Sequence, residues 1–205
     1  MTDRINAGQF TWKDDFKDVH PSPFGQKIYS DTICRLLDMA WQKPLCASDA
    51  VQPHWLPEKP IDAFSYFHGR LEDIRKADIE SGWTLDPAWH PMDKVEAREG
   101  FVDVPMLTAE KSGAVLRFPF TGSAVGLFIT AGPDCGIIEY SVDGKPFRQV
   151  DQFTTWSPDL YIPWALMLET ELDSGPHELV LKTCSQKNAR SKGTACRIVH
   201  FLVNN

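Results

Sequence analysis

Apolar residues recur at helical spacing close to the start of the chain. Ser22 followed by Pro23 has the form of a helix N-cap with proline at the first helical position. Behind this start, apolar side chains return every three or four residues, which predicts one amphipathic helix from Pro23 to Trp41. Its apolar stripe has to be buried against a larger body, and it consists of Phe24, Ile28, Tyr29, Ile33, Leu36, Leu37 and Ala40.

A different periodicity begins beyond Gly100. Short β-rich runs follow one another at regular intervals, which is typical of an antiparallel β-sandwich. Asp143 and Gly144 predict a tight hairpin turn because both residue types tolerate positive φ, and the sequence around Gly175 predicts another turn. About eight strands would form a jelly-roll-like pair of sheets. The runs are FVDV, AVLRFPF, AVGLFITA, GIIEYSV, FRQVDQF, LYIPWALML, HELVLKT and CRIVHFLV.

Prolines separate these two patterns. Residues 42–61 contain four of them, at positions 44, 53, 57 and 60, and therefore predict an extended linker. The sequence divides accordingly into a helical segment at 1–41, the linker, and a β-sandwich domain at 62–205. Within 63–95 the signals are mixed, and the stretch from Gly69 to Ser81 is compatible with a short charged helix.

The charge balance excludes several classes of partner. The 21 Lys and Arg residues against 28 Asp and Glu residues leave a net charge of −7 without a basic cluster, so we expect no nucleic-acid partner. No apolar run reaches the roughly 18 to 20 residues that span a bilayer, and the first residues lack the apolar core of a signal peptide. We expect no membrane segment and no cofactor.

The five cysteines are too irregularly spaced for a zinc site, so we expect no metal. Cys184 and Cys196 could pair across a hairpin, but free thiols are the simpler interpretation.

His20 is the strongest candidate for chemistry. It stands between an extended segment and a helix start, with Asp18 and Asp15 nearby, so it could act as a general base oriented by a carboxylate. The alternative is a His-Pro pair that only ends a strand and precedes the helix cap. A general base of this kind also requires a nucleophile.

These residues carry a resemblance. The segment DVHPSPFGQKIYSDTICRLL resembles the last conserved block of the SGNH (GDSL) ester hydrolases, in which an Asp and a His before the final helix complete a triad with an upstream serine. The stretches FTGSAVGLFITAGPDCGIIEYSVDG, WSPDLYIPWALML and SKGTACRIVHFLVN resemble the β-sandwich appended to bacterial SGNH hydrolases that act on acylated carbohydrates. Together these segments cover most of the chain.

The resemblance implies that His20 is the catalytic base and that the helix at 23–41 is the remnant of an α/β hydrolase domain. Lys17 occupies the usual position of the acid, so that role falls to Asp18 or Asp15. Only nineteen residues precede His20, and the G-D-S serine motif is not among them. The chain alone is therefore predicted to be inactive, and either the missing catalytic portion or a second chain would cover the helix. The parent enzyme would be secreted or periplasmic.

Aromatic residues mark a second candidate site. Trp156, Tyr161 and Trp164 could stack on the apolar faces of sugar rings while Asp159 bonds hydroxyl groups. Alternatively, these rings fill the core or a domain interface. Two functions thus compete: the C-terminal portion of a carbohydrate-directed esterase, or a non-catalytic carbohydrate-binding or structural sandwich.

Overall fold

The computed structural model describes residues 2–16, 20–42 and 56–205, which fall into two compact units at residues 1–58 and 59–205. The division lies within the predicted linker at 42–61, and most of that linker lies outside the described residues. The linker and the domain limits drawn around it therefore stay predictions.

The first unit is built around one long helix. It contains α1 (Thr2–Asn6), a π-helical turn (Trp12–Phe16) and α2 (Pro23–Trp41). The predicted cap is confirmed, because the Ser22 hydroxyl accepts a hydrogen bond from Gly25 N at 3.2 Å. Phe10, Phe16 and Ile28 form a small core, and Gly25 is required there because a Cβ would lie 2.8 Å from the Phe16 ring. The predicted helix thus has the expected bounds.

The predicted burial of the α2 stripe is not observed. In the whole of α2 only Gly25 and Ile28 are buried. Of the predicted stripe, Ile33 and Leu36 keep 57% and 65% of their surface exposed, and Phe24, Tyr29 and Leu37 are exposed as well. Met39 and Trp41, which are not part of that stripe, are also exposed.

The second unit consists of two β-sheets packed face to face, which confirms the mainly β, sandwich-like fold. Its strands are β1 (Gly69–Glu72), β2 (Asp78–Ser81), β3 (Thr84–Trp89), β4 (Glu96–Ala97), β5 (Val104–Ala109), β6 (Val115–Gly122), β7 (Ala124–Ala131), β8 (Ile137–Val142), β9 (Arg148–Asp151), β10 (Leu160–Glu169), β11 (Gly175–Thr183) and β12 (Cys196–Asn204). One-turn 3₁₀ helices occupy Tyr66–His68 and Ile74–Lys76.

The strands are antiparallel except for the short β4–β10 pair. The seven-stranded sheet has the order β3-β5-β12-β7-β10-β4 with β1 beside β12, and the five-stranded sheet has the order β2-β6-β11-β8-β9. Alternating apolar residues from both sheets fill the core between them. Phe118 of β6 stacks on Phe201 of β12 with ring centroids 3.8 Å apart, which joins the two layers.

Two local predictions need correction. The stretch from Gly69 to Ser81 is not a helix. It forms β1, which pairs with β12, and β2, which pairs with β6, and a single 3₁₀ turn separates the two strands. The strand expected at FVDV begins only at Val104, since Asp103 has a positive φ of 58° that interrupts extended backbone. The predicted turn at Asp143 and Gly144 is confirmed, with φ of 54° and 71°.

Candidate functional site

The predicted catalytic residues lie just before α2. His20 is exposed at this position, whereas Asp18 lies outside the described residues. Asp15 is half-buried in the π-helical turn, and its carboxylate accepts a hydrogen bond from Thr11 N at 2.7 Å. The Asp15 carboxylate therefore has a local structural use in closing this turn.

Ser22 of the first unit and Ser123 of the second unit are both engaged in structure. Ser22 donates its hydroxyl proton to the carbonyl of Asp15 and accepts from Gly25 N, so it both caps α2 and ties the helix to the preceding turn. Ser123 donates to the backbone oxygen of Asn204 at 3.4 Å and accepts from its side-chain amide at 3.2 Å. Both hydroxyls therefore stabilise backbone, which is the role expected of caps and connections.

The second candidate site is built on the connection between β9 and β10. Thr154 and Ser157 are buried and hydrogen-bond to each other, and the Thr154 hydroxyl also accepts from Trp156 N at 3.2 Å. This closed turn presents Trp156, which is 54% exposed, next to Trp164 with ring centroids 5.7 Å apart. Asp159 is exposed in the same turn, where its N–H donates to Trp156 O at 3.2 Å.

The structure brings Trp156, Trp164 and Asp159 together at one end of β10. Trp164 is partly buried because its inner side packs against the core between the sheets. The exposed ring of Trp156 is held by a hydrogen-bonded turn, so little conformational freedom would be lost when a flat apolar ligand stacks on it. An exposed indole held in this way can stack on the apolar face of a sugar ring.

Tyr161 does not join this surface. It lies three residues before Trp164 on an extended strand, so its side chain points to the opposite face of the sheet. There it is buried against Trp89, with ring centroids 5.3 Å apart, and its hydroxyl donates to Asp93 at 3.1 Å. Burial raises the pKa of the Tyr161 phenol. Tyr161 thus stabilises the sandwich rather than lining the same surface as Trp156.

A buried arginine that sequence reasoning missed organises that opposite face. Arg197 has a side chain only 3% exposed, and it binds Asp134 in a bidentate pair at 2.8 and 2.5 Å. Its guanidinium also lies 4.5 Å from the Trp89 ring centroid and 5.5 Å from that of Tyr161. The signal in the sequence was a single arginine inside the apolar run CRIVHFLV.

Within residues 2–16, 20–42 and 56–205, no helix is both long and apolar enough to cross a bilayer. Over the same ranges, no three His, Cys, Asp or Glu side chains are grouped so that they could hold a metal ion. Cys184 and Cys196 are free thiols, so the disulfide considered between them is not formed.

No protein-family model matches the chain, and no curated protein matches it. Among solved structures, the chain is similar to a two-domain esterase (CEX) active on acetylated mannans, with a TM-score of 0.71 at 14% identity. The match covers 99% of this chain and 53% of that esterase. The same esterase co-crystallised with mannopentaose gives a TM-score of 0.70 at 13% identity, covering 99% of this chain and 52% of that one.

A family two carbohydrate esterase from Cellvibrio japonicus is more distant. It has a TM-score of 0.39 at 15% identity, over 63% of this chain and 34% of that one. At that TM-score the likeness does not establish a shared fold. The similarity to the two-domain esterase, at its low identity, establishes a shared fold, and this chain spans about half of that protein's length.

Proposed function

We propose that this chain is the C-terminal portion of an SGNH-type esterase acting on acylated carbohydrates. In this proposal His20 is the general base, Asp18 or Asp15 orients it, and the nucleophilic serine comes from polypeptide outside this sequence. The β-sandwich is an accessory domain that holds or shapes the glycan substrate. The proposal combines the His20 block with a fold shared with an esterase of acetylated mannans.

The observation that carries this proposal is the exposed apolar face of α2. Ile33, Leu36 and Leu37 keep 57%, 65% and 39% of their surface exposed, and their spacing of three and four residues places them on one side of the helix. Contiguous apolar patches of this kind are uncommon on proteins that work alone, because water contact with each large side chain costs about 1.5–3 kcal/mol relative to burial. The final helix of a hydrolase domain would bury this face against the rest of that domain.

The first experiment measures the isolated chain. Hydrolysis of p-nitrophenyl acetate should be equally slow for the unmodified chain, His20→Ala and the matched control His68→Ala. A triad needs its nucleophile within hydrogen-bond reach, and oxyanion donors contribute a further few kcal/mol. Turnover by the isolated chain that only His20→Ala abolishes would contradict the proposal.

The second experiment supplies the catalytic portion that the proposal places outside this sequence. The chain is joined to, or mixed with, a polypeptide from the same genome that carries a G-D-S serine motif, and deacetylation of acetylated manno-oligosaccharides is followed. In an active complex, His20→Ala should lower kcat by ~10⁴-fold or more, whereas His68→Ala should not. An active complex whose kcat is unchanged by His20→Ala would contradict the assignment of His20 as the general base.

The exposed Trp156 ring favours a second candidate, a non-catalytic carbohydrate-binding module. Its stacking surface is formed entirely by the sandwich and needs no other domain. Calorimetric titration with mannopentaose and cellohexaose should show binding that Trp156→Ala weakens by ~10-fold or more, since one stacking ring contributes about 1–2 kcal/mol. Trp41→Ala is the control, because Trp41 is also exposed, at 72% against 54% for Trp156. Unchanged binding by Trp156→Ala would rule out this surface.

A further inference from the structure

A β-bulge in β12 turns two consecutive side chains to the same face of the seven-stranded sheet. The register between β12 and β7 shifts between Ile198 and His200. Ile198 and Phe201 are fully buried in the core between the sheets, whereas Val199 packs with Trp89 on the opposite face. Because the bulge adds a residue, His200 also faces that side. Bulges often serve to aim a side chain at a functional site.

His200 contributes to a cavity of about 580 Å³. One wall is aromatic: the imidazole stacks beside Phe128 at 6.4 Å and 27°, and Phe101 meets Phe128 edge-on at 6.0 Å. Aliphatic side chains complete the apolar lining, and they are Leu71, Ile74, Val104 and Val199. A pyranose ring, with its axial C–H groups on one face, fits such a wall.

Polar groups lie on the same cavity. Neither ring nitrogen of His200 has a hydrogen-bond partner among the residues described at 2–16, 20–42 and 56–205. Asp73 and Arg75 form an exposed ion pair at 3.2 Å at the lining, and the Asp73 carboxylate also accepts from Arg75 N at 2.8 Å. The cavity therefore offers an imidazole, a carboxylate and a guanidinium to hydroxyl groups.

We propose that this cavity is a second glycan subsite that holds one pyranose unit. The apolar face of the sugar would pack on Phe128 and Phe101, and its hydroxyl groups would bond His200 and the Asp73–Arg75 pair. An acyl chain would fill the apolar wall but would use none of these polar groups. This inference rests on the proposed glycan-directed function.

The subsite is separate from the Trp156 surface. Trp164, which supports Trp156, packs against the core between the two sheets, whereas Phe128 packs with the cluster on the other face of the seven-stranded sheet. One sugar ring cannot contact both faces of a sheet. A glycan chain would have to bind at two separate positions on the sandwich.

The test is a titration followed by NMR of the histidine side chains. Mannopentaose should shift the ¹⁵N and ¹³C resonances of His200, with a dissociation constant on the order of 1 mM, as expected for a single small subsite. His177 is the internal control, because both of its ring nitrogens already bond to Asp143 and Asp173. Cellohexaose and xylohexaose serve as further probes, and sodium octanoate represents an acyl chain.

Variants locate the binding. His200→Ala and Arg75→Gln should each weaken glycan binding at this cavity by ~5-fold or more, since each removes a hydrogen-bonding partner, whereas the exposed His68→Ala should not. Trp156→Ala should leave the His200 shifts intact. The proposal is overturned if none of the glycans shifts His200, if only octanoate does, or if Trp156→Ala abolishes the shifts. A failed reconstitution of esterase activity would not by itself remove a glycan-dependent His200 shift, so the two proposals fail separately.

Discussion

Removing the Asp134 carboxylate should destabilise the sandwich more than any change to a surface ion pair. Asp134 is the bidentate partner of the buried Arg197 guanidinium. Burial by itself lowers the pKa of Arg197, but its hydrogen bonds and charge interaction with Asp134 outweigh burial and raise it. Asp134→Ala would leave a positive charge among the rings of Trp89 and Tyr161 without its main counter-charge.

The magnitude follows from the burial of the two partners. Breaking a buried pair by removing one partner costs about 3–5 kcal/mol. Asp134 keeps 29% of its side chain exposed, and Glu110 lies 3.5 Å from the same guanidinium, so water and Glu110 would recover part of this loss. We therefore expect the lower end, about 3 kcal/mol, in the free energy of unfolding. For a domain of this size that corresponds to a Tm lower by about 6–12 °C.

The assay is urea denaturation followed by tryptophan fluorescence. Glu169→Ala is the matched control, because it removes a carboxylate from Arg148, a guanidinium that is 64% exposed, and it should cost only about 0–1 kcal/mol. Arg197→Met should cost less than Asp134→Ala, since it removes the charge along with the pair. A loss below about 1 kcal/mol in Asp134→Ala would refute the reasoning, as would a loss no larger than that of Glu169→Ala.

Two further predictions concern titration. Burial by itself lowers the pKa of His177, but its hydrogen bonds to the Asp173 carbonyl and to Asp143 outweigh burial and raise this pKa above the ordinary 6.5. The pKa of Asp143 is lowered below 3.8, because its hydrogen bonds also outweigh burial. The stability that His177 contributes to the folded state is complete below about pH 6.5 and is lost as the pH rises through the folded-state pKa of His177. The stability that Asp143 contributes is lost as the pH falls through the folded-state pKa of Asp143. His177→Gln should therefore flatten the fall in Tm between pH 6 and 8, and an unchanged profile would contradict this. Burial raises the pKa of the Cys135 thiol to about 11, so in the native protein this thiol should resist a disulfide reagent that modifies the exposed Cys34; equal rates would contradict this.

Local rules were sufficient where a single segment determines its own structure. Ser22 and Pro23 mark the start of α2 because the cap needs only a side-chain oxygen and a fixed φ, both of which are visible in the sequence. The turn at Asp143 and Gly144 follows in the same way from tolerance of positive φ. These predictions depend on no distant partner, and they were confirmed.

Predictions failed or stayed incomplete where a distant strand determines the outcome. The charged stretch from Gly69 to Ser81 has no strong period of its own, and its strands form only because β12 and β6 offer free edges. Trp164 and Tyr161 are close in sequence but lie on opposite faces of β10. The sequence shows only that aromatic residues are clustered there, and it does not reveal which face of the strand each of them occupies. The bulge that turns His200 outward is equally hidden, since it arises from the pairing of β12 with β7.

The exposed stripe of α2 connects the sequence to the proposed function. Its helical periodicity predicts a buried face, and the helix forms as predicted, yet most of that face is open. A pattern of this strength is explained by a surface that the helix packs against, because helices in proteins gain most of their stability from packing an apolar face. His20 stands just before this helix, so a body that covers the stripe over its whole length, from Phe24 onward, would reach the segment that carries the imidazole. A single partner domain would therefore both cover the unburied apolar face and supply the nucleophile that the proposed role of His20 requires.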